Sequence, residues 1–258
     1  MKEKNTSQKN ASPRQKIRRL LLIISFLLIP VTIFYISPIV VMMGAGKGIV
    51  TGSLLLYITL FILSLVVARL WCGWLCPMGA WQEICSPVIK RTVKEGWRNW
   101  IKYIVTAIWL AMIGFTFKNA GGIRAIDPFY GTVNGISISS LPILMTVAII
   151  FLIILAVAFL AGRRGFCHVL CPIAGLMVLG RKIRNLIGWP ALRLTADPSR
   201  CTDCKSCSAA CPMGLDVNGM VRKGDLENAD CILCAGCADA CPQGVIRYGV
   251  KGRSPERS

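Results

Sequence analysis

Four long apolar stretches constrain the fold of this chain more than any other feature of its sequence. They contain almost no charged residues and cover residues 20–41, 53–70, 100–117 and 141–161. A helix needs about 20 apolar residues to cross a bilayer core of roughly 30 Å. Helices buried in a soluble core are the alternative, and four continuously apolar runs argue against it. The sequence therefore predicts an α-helical membrane protein with four transmembrane helices.

The placement of basic residues predicts how these helices are oriented. The chain has 30 Lys and Arg against 12 Asp and Glu, which gives a net charge of +18. The basic residues are concentrated before the first stretch and after the second and fourth, whereas the other two loops have few. Because cytoplasmic loops carry the excess of Lys and Arg, both termini are predicted to be cytoplasmic. No nucleic-acid-binding motif accompanies the charge, so we expect no nucleic-acid partner.

The two halves of the membrane domain contain an internal repeat. Residues 69–77 (RLWCGWLCP) match residues 164–172 (RGFCHVLCP), and residues 36–38 echo residues 126–128 upstream. Each half is predicted to be a helix hairpin that ends in C-x-x-x-C-P on the cytoplasmic side. A repeat of this kind favours a pseudo-symmetric pairing of the two hairpins.

Eight of the 13 cysteines form one motif that occurs twice near the C-terminus, C-x2-C-x2-C-x3-C-P. The first copy is Cys201, Cys204, Cys207 and Cys211, and the second is Cys231, Cys234, Cys237 and Cys241. This is the pattern of bacterial ferredoxins with two [4Fe–4S] clusters, in which the fourth cysteine of each run binds the other cluster. Zinc sites generally use pairs of cysteines, and disulfides are disfavoured on the cytosolic side. One predicted ligand set is Cys201, Cys204, Cys207 and Cys241, and the other is Cys231, Cys234, Cys237 and Cys211.

The chain is thus predicted to divide into five parts. Residues 1–19 form a basic cytoplasmic N-terminus, and residues 20–175 form the transmembrane domain with two pseudo-repeated hairpins. Residues 176–196 mix Arg and Lys with apolar residues, so they form either an interfacial helix or a plain linker. Residues 197–248 form an α+β ferredoxin-like domain with two clusters, and a basic tail follows at 249–258.

The paired cysteines of the membrane domain are candidate catalytic residues. They are Cys72 and Cys76 in the first repeat and Cys167 and Cys171 in the second, with His168 in the second copy only. Residues four apart share one face of a helix, and the proline after each pair tends to kink or end that helix. The thiols could ligate a metal or a further cluster, cycle between dithiol and disulfide, or shape a site for a redox partner. Simple apolar packing is the alternative, and it is the expected role of Cys85.

The full set of motifs resembles the NapH-type membrane component of quinol dehydrogenases, within a wider family that includes NosR. The resemblance rests on the four spans, the two C-x-x-x-C-P motifs and the C-terminal two-cluster domain, and it covers residues 19–248. Unlike NosR, the sequence has no long extracytoplasmic domain before the first span. The resemblance implies a multi-pass protein of the bacterial inner membrane, with the clusters on the cytoplasmic side.

The resemblance also implies a function, which is the transfer of electrons from membrane quinol towards a reductase such as periplasmic nitrate reductase. The expected cofactors are two [4Fe–4S] clusters, with quinol as substrate. The expected partners are the membrane, the quinone pool and a further iron–sulfur or cytochrome subunit. One alternative is a redox maturation factor that reduces a metal or thiol while another enzyme is assembled. The other is a membrane anchor whose clusters are structural.

Overall fold

The computed structural model describes residues 12–86, 88–89, 91–93 and 98–252. Most of the predicted basic N-terminus and residues 253–258 of the predicted tail lie outside this part of the chain. The membrane part contains α1 (Pro13–Leu27), α2 (Ile29–Ile36), α3 (Pro38–Gly46), β1 (Ile49–Thr51), α4 (Gly52–Val67), α5 (Leu70–Trp74), α6 (Pro77–Ile84), α7 (Arg98–Asn119), β2 (Ala125–Asp127), α8 (Leu141–Ala161), α9 (Gly165–Val169) and α10 (Pro172–Ile187). The C-terminal part contains β3 (Ala191–Ala196), α11 (Ser206–Ala209), α12 (Val217–Arg222), α13 (Gly236–Asp239) and β4 (Ile246–Lys251).

In the part of the chain that the structure describes, two helices are long and apolar enough to cross a membrane. They are α8 and the segment Asn99–Asn119 of α7, each of 21 residues. The span predicted at residues 141–161 has the same limits as α8, and the one predicted at 100–117 lies inside α7. The span predicted at 53–70 corresponds to α4, which is apolar but has only 16 residues. The described residues therefore provide two candidate spans, or three if α1 and α2 form one broken span.

The first apolar stretch is not the single helix that the sequence predicts over residues 20–41. It is divided among α1, α2 and α3, and the axes of α1 and α2 meet at 87°. Pro30 lies in the first turn of α2 and Pro38 begins α3. Proline lacks an N–H donor and clashes with the preceding turn, so each proline favours the start of a new helix over the continuation of the old one.

The two short loops predicted to lie outside the cell meet at one end of the membrane part. β1 and β2 pair in parallel there, with Val50 opposite Ile126. The echo between residues 36–38 and 126–128 has no structural counterpart, because Ile36 ends a helix whereas Ile126 lies in a strand. The pairing places both loops on the same side, away from the cysteine motifs at the other ends of α4 and α8.

α10 holds the two halves of the membrane part together by packing against both α4 and α7. Two glycines allow the close approach. A Cβ on Gly175 would lie 2.1 Å from Oγ1 of Thr106 in α7, and one on Gly180 would lie 1.9 Å from Oγ of Ser64 in α4. Much of the segment predicted as an interfacial helix or linker thus belongs to a helix with many buried residues.

The C-terminal part is a small α+β unit that packs directly on the membrane part. β3 and β4 form an antiparallel pair, with Ala191 opposite Lys251. This sheet extends beyond the predicted limits 197–248 at both ends. Buried residues of this unit, such as Met213 and Ile232, share one apolar cluster with Tyr57 and Met177 of the membrane part. The shared core fixes the cysteine-rich loops against the membrane helices.

Candidate functional site

The two C-terminal cysteine runs have the same backbone conformation. In the first run Asp203 and Lys205 have φ values of 56° and 58°, and they flank Cys204. In the second run Leu233 and Ala235 have φ values of 51° and 56°, and they flank Cys234. A side chain at positive φ costs free energy, and such residues persist where the surrounding structure or the function demands them. The tight turns they form direct successive thiols to one side of the loop.

The thiols are arranged around two separate cavities. The first is lined by Cys201, Cys204, Cys207 and Cys241, and the second by Cys211, Cys231, Cys234 and Cys237. These are the same two groups of four that the motif predicts as ligand sets. All eight cysteines are free thiols. In each group, three cysteines come from one run and the fourth comes from the other run.

The donor set fits a [4Fe–4S] cluster in each cavity. Four cysteine thiolates are the usual ligands of such clusters. Among the described residues, no three His, Cys, Asp or Glu side chains have the spacing for a single metal ion. The second cavity is otherwise lined mostly by apolar side chains, and burial raises the pKa of the Cys211 thiol, while the backbone N–H groups of Leu215, Met213 and Gly214 oppose this. Such amide donors stabilise a thiolate.

The two C-x-x-x-C-P motifs also share one local structure. The first cysteine of each motif lies in a five-residue helix, Cys72 in α5 and Cys167 in α9. The second cysteine is the N-cap of the next helix, with ψ of 118° at Cys76 and 113° at Cys171. The two cysteines of a pair therefore do not share a face of one continuous helix. The proline that follows each pair begins the next helix, where its missing N–H has no cost.

The four membrane cysteines converge from the two halves of the molecule. Cys72, Cys76 and Cys167 are buried, and Cys171 is half-buried. The thiols of Cys76 and Cys171 both lie within electrostatic range of Cys72 and Cys167. Neighbouring side chains touch two of them: Sδ of Met177 lies 3.7 Å from Sγ of Cys72, and Nε2 of Gln82 lies 3.3 Å from Sγ of Cys167. Dithiol–disulfide cycling requires thiols that lie near one another, and metal ligation by these cysteines stays a prediction.

Two buried arginines cross between the repeats. Arg69 and Arg164 each stand three residues before the first cysteine of their motif, and both are almost completely buried. Arg164 donates to the carbonyl oxygen of Cys72 at 2.7 Å, and Arg69 donates to that of Cys167 at 3.4 Å. Each motif is thus held by the arginine of the other. The sequence repeat contains both arginines, but their role was not predicted from it.

Each of these arginines pairs with a carboxylate, and the same carboxylate also pairs with a second cation. Glu83 pairs with Arg164 and Arg18. Burial of Glu83 raises its pKa, but the two arginines outweigh this effect and lower the pKa to about 2. Asp230 pairs with Arg69 and with the buried Lys102. Two cations facing one carboxylate leave an excess of buried positive charge at both places.

His168 connects the second motif to the C-terminal unit. Its Nε2 lies 3.0 Å from the carbonyl oxygen of Met213, and its Nδ1 lies 3.3 Å from Oδ1 of Asn99. Burial, opposed by Asp230, lowers the pKa of His168 to about 4, so the ring is neutral near pH 7. Both ring nitrogens face protein atoms, and a catalytic role for His168 stays a prediction.

The loop of the second cysteine run packs directly on the first membrane motif. A Cβ on Gly73 would lie 2.5 Å from the carbonyl oxygen of Ile232, so only glycine permits this approach. Trp74 Nε1 donates to the carbonyl oxygen of Leu233 at 3.1 Å, and Gln15 Nε2 donates to that of Cys234 at 2.8 Å. The contact places the second thiol cavity beside the cysteines of the membrane part.

Glu227 joins α10 to the C-terminal sheet. It accepts hydrogen bonds from Arg181 at 2.6 Å, from Asn185 at 2.8 Å and from Arg193 at 3.0 Å. Burial of Glu227 favours its neutral form, but the arginines outweigh this and lower its pKa to about 2. A charged network of this kind fixes the orientation of the two parts of the chain.

Comparison with known families agrees with the division seen in the structure. Residues 200–246 match the 4Fe-4S dicluster domain family. Residues 200–246 are thus similar to a 4Fe–4S dicluster domain, and we call this C-terminal part of the chain the dicluster domain. Residues 49–94 and 143–190 match the family described as 4Fe-4S binding domain, and these two segments contain the two C-x-x-x-C-P motifs. The match to both segments supports the internal repeat.

Relatives of the chain come from several organisms. YccM of Escherichia coli, whose name assigns it provisionally to electron transport, is 23% identical over 76% of the chain and 58% of its own length. The nitrogen fixation protein FixG of Rhizobium meliloti is 27% identical over 79% of the chain and 40% of its own length. NirI of Paracoccus denitrificans is 25% identical over 60% of the chain and 23% of its own length. The chain therefore spans less than two thirds of each of these relatives.

No solved structure matches the chain significantly. The dicluster domain and the named relatives together support an iron–sulfur electron-transfer role and a relationship to 4Fe–4S electron-transfer proteins.

Proposed function

We propose that the chain is a membrane electron-transfer subunit that oxidises quinol and passes the electrons towards a reductase. The observation that carries this proposal is the contact between the second cysteine run and the first membrane motif, at Gly73 and Ile232. It brings a four-thiol cavity of the dicluster domain to the membrane helices. An electron carrier dissolved in the lipid would thus meet an iron–sulfur domain without a further subunit.

The eight C-terminal cysteines are proposed to hold two clusters in the two cavities. Cys201, Cys204, Cys207 and Cys241 would hold one, and Cys211, Cys231, Cys234 and Cys237 the other. When bound, the clusters supply one-electron transfer. The chain itself positions the thiols through the turns at Asp203, Lys205, Leu233 and Ala235 and excludes water with apolar side chains such as Met213 and Leu215.

The buried cations around the site favour electron acceptance. Within the described part of the chain, Arg18, Arg69, Arg164 and Lys102 pair with two carboxylates, those of Glu83 and Asp230, so positive charge is in excess. A thiolate-ligated cluster is anionic and becomes more so on reduction. Positive charge in a medium of low dielectric constant stabilises the more negative state, which raises the reduction potential. This suits a protein that accepts electrons from a quinol.

The proposed setting is the inner membrane of a bacterium, with both termini and the dicluster domain in the cytoplasm. The meeting of the two short loops at β1 and β2 supports a common side for them. The proposed partners are the quinone pool and a further iron–sulfur or cytochrome subunit. A periplasmic nitrate reductase is the acceptor that the NapH resemblance favours.

Cluster reduction by quinol tests this function. The protein is purified anaerobically in detergent, and electron paramagnetic resonance spectra are recorded before and after addition of a menaquinol analogue. We expect signals of reduced [4Fe–4S] clusters after the addition. Clusters that dithionite reduces but the quinol does not would contradict the proposal.

The convergence of Cys72, Cys76, Cys167 and Cys171 favours a second candidate, a redox maturation factor that reduces a metal or thiol of another enzyme. In that case the four thiols are the working site and quinol is not needed. Turnover that depends on a thiol or on copper, and that is lost in Cys72→Ser while quinol has no effect, would favour this function over quinol oxidation.

A further inference from the structure

Two cavities that adjoin each other lie between α1, α6 and the dicluster domain. The first has a volume of about 340 Å³ and is lined by polar residues, among them Gln15, Arg18 and Arg163. The second has a volume of about 290 Å³ and is lined largely by apolar residues, among them Leu22, Ile23 and Ile84. Arg19, Glu83 and Ser86 line both. We call the two together the α1–α6 cleft, with a polar arm and an apolar arm.

The polar arm reaches the dicluster domain at one of its thiol groups. Cys211 and Cys234 line the polar arm, and both belong to the second group of four cysteines. No cysteine of the first group lines the arm. A molecule bound there would therefore lie against the ligands of one particular cluster.

The apolar arm opens towards the region that lipid would occupy. Ile23 and Ile84 are 46% and 50% exposed, although both are large apolar side chains. α1 and α6 pack on each other and carry these residues at their shared edge. Exposed apolar side chains beside membrane helices are suited to lipid or to an apolar chain dissolved in it.

The polar arm offers hydrogen-bonding groups for a ring with oxygen substituents. Glu83 lines it as a carboxylate acceptor held by Arg18 and Arg164. Arg164 is 2% exposed, and within the described part of the chain its Nε has no hydrogen-bond partner. A buried guanidinium nitrogen without a partner is costly unless a ligand or water satisfies it.

We propose that the α1–α6 cleft is the binding site for the quinol, with the ring in the polar arm and the apolar chain in the apolar arm. This inference rests on the proposed function and adds the location of its substrate. A quinol that is oxidised there loses two electrons and two protons and becomes the quinone. The two electrons would pass, one each, to the clusters that the two groups of four thiols would hold, and the protons would leave through the polar arm to the cytoplasm. Cavities of about 300 Å³ lie at the lower end of the size range of small-molecule sites.

The two arms allow a test that separates the ring from the chain. Reduction of the clusters is followed by stopped-flow absorbance with menadiol, which has no chain, and with a menaquinol that carries a prenyl chain. Ile84→Trp fills the apolar arm. We expect it to raise KM for the prenylated quinol at least about tenfold while leaving menadiol unchanged. Arg19→Gln, at the junction of the arms, is expected to raise KM for both.

Ile58→Trp is the matched control. Ile58 lies on α4, is 49% exposed like Ile84, and is not among the residues lining the cleft. Iron content and reduction by dithionite verify that each variant folds and holds its clusters. If Ile84→Trp reacts with the prenylated quinol as Ile58→Trp does, the cleft is not the site, although quinol oxidation stands. If neither quinol reduces the clusters of the unmodified protein, the proposed function is wrong, and so is the proposed quinol site.

Discussion

Arg164 donates a hydrogen bond of 2.7 Å to the carbonyl oxygen of Cys72, which belongs to the other repeat of the membrane part. Arg69 makes the corresponding contact with Cys167. Because each arginine contacts the other repeat, the two short sequence motifs form one buried site. It also couples that site to the dicluster domain, because Arg69 is paired with Asp230, the residue directly before Cys231.

Loss of a crossing arginine should destabilise the membrane part. Arg164→Met removes the donor to Cys72 and one of the two cations facing Glu83. Breaking a buried charged pair by removing one partner costs about 3 kcal/mol or more. We expect a clear fall in the thermal unfolding midpoint in detergent. Arg200→Met, at an exposed arginine, is the control and should leave the midpoint unchanged. If both substitutions lowered the unfolding midpoint equally, the contact between Arg164 and Cys72 would not stabilise the fold.

A methyl group at Gly73 should disturb the contact between the two parts of the chain. Gly73→Ala would place Cβ 2.5 Å from the carbonyl oxygen of Ile232, and backbone must move to relieve the clash. Overpacking of this kind costs about 1–3 kcal/mol. The expected result is a lower unfolding midpoint together with an altered electron paramagnetic resonance signal from one cluster only.

Gly114 provides the matched control for that substitution. It also lies in a helix, but a Cβ there would meet no atom within 4 Å. Alanine is a better helix former than glycine, so Gly114→Ala should leave the spectrum unchanged and stability equal or slightly higher. A normal spectrum in Gly73→Ala would contradict the close contact at Ile232.

The contribution of Glu227 should depend on pH in a defined direction. Its pKa is about 2 in the folded chain, against about 4.3 in an unfolded chain. A lowered pKa stabilises the fold fully above the unfolded value, and the contribution is lost as the pH falls towards 2. Glu227→Gln should therefore cost up to ~3 kcal/mol, equally at pH 7 and pH 6, and progressively less below about pH 4. Unfolding midpoints of the unmodified protein and of Glu227→Gln, recorded between pH 7 and pH 2, measure this difference in stability. A difference that increases as the pH falls would contradict the charged network around Glu227.

The crossed assignment of the cysteines predicts which substitutions remove the same cluster. Cys211→Ser and Cys234→Ser should lose the same cluster and give the same electron paramagnetic resonance spectrum. Cys201→Ser and Cys241→Ser should both lose the other cluster and share a second, different spectrum. Each variant is expected to retain about four irons of about eight. Cys85→Ser is the control and should retain all of them. If Cys211→Ser instead matched Cys201→Ser, each run would hold its own cluster and the assignment would be wrong.

The sequence predicted those parts of the fold that depend on local pattern. The limits of α8 follow from one continuous apolar run, and the division of the eight C-terminal cysteines into two groups of four follows from their motif. Contacts between distant segments could not be read in this way. Gln15 meets the carbonyl oxygen of Cys234 across 219 positions of the chain, and Arg164 meets Cys72 across 92. Such contacts depend on which helix faces pack together, which no single motif specifies.

The break in the first apolar stretch shows a different limit of sequence reasoning. Pro30 and Pro38 stand in this stretch, but proline is tolerated in membrane helices when neighbouring groups satisfy the freed carbonyls. Whether a proline kinks one helix or begins another depends on the packing around it. In this chain α1 packs along α6 and α5, and the bend of 87° between α1 and α2 goes with that packing.

Iron and acid-labile sulfide in anaerobically purified protein test the central claim most directly, which is that eight C-terminal thiols hold two [4Fe–4S] clusters. The account predicts about eight irons and about eight sulfides per polypeptide, with the spectrum of two interacting clusters after reduction by dithionite. Protein that is folded, purified without oxygen and yet holds far fewer than eight irons would contradict it.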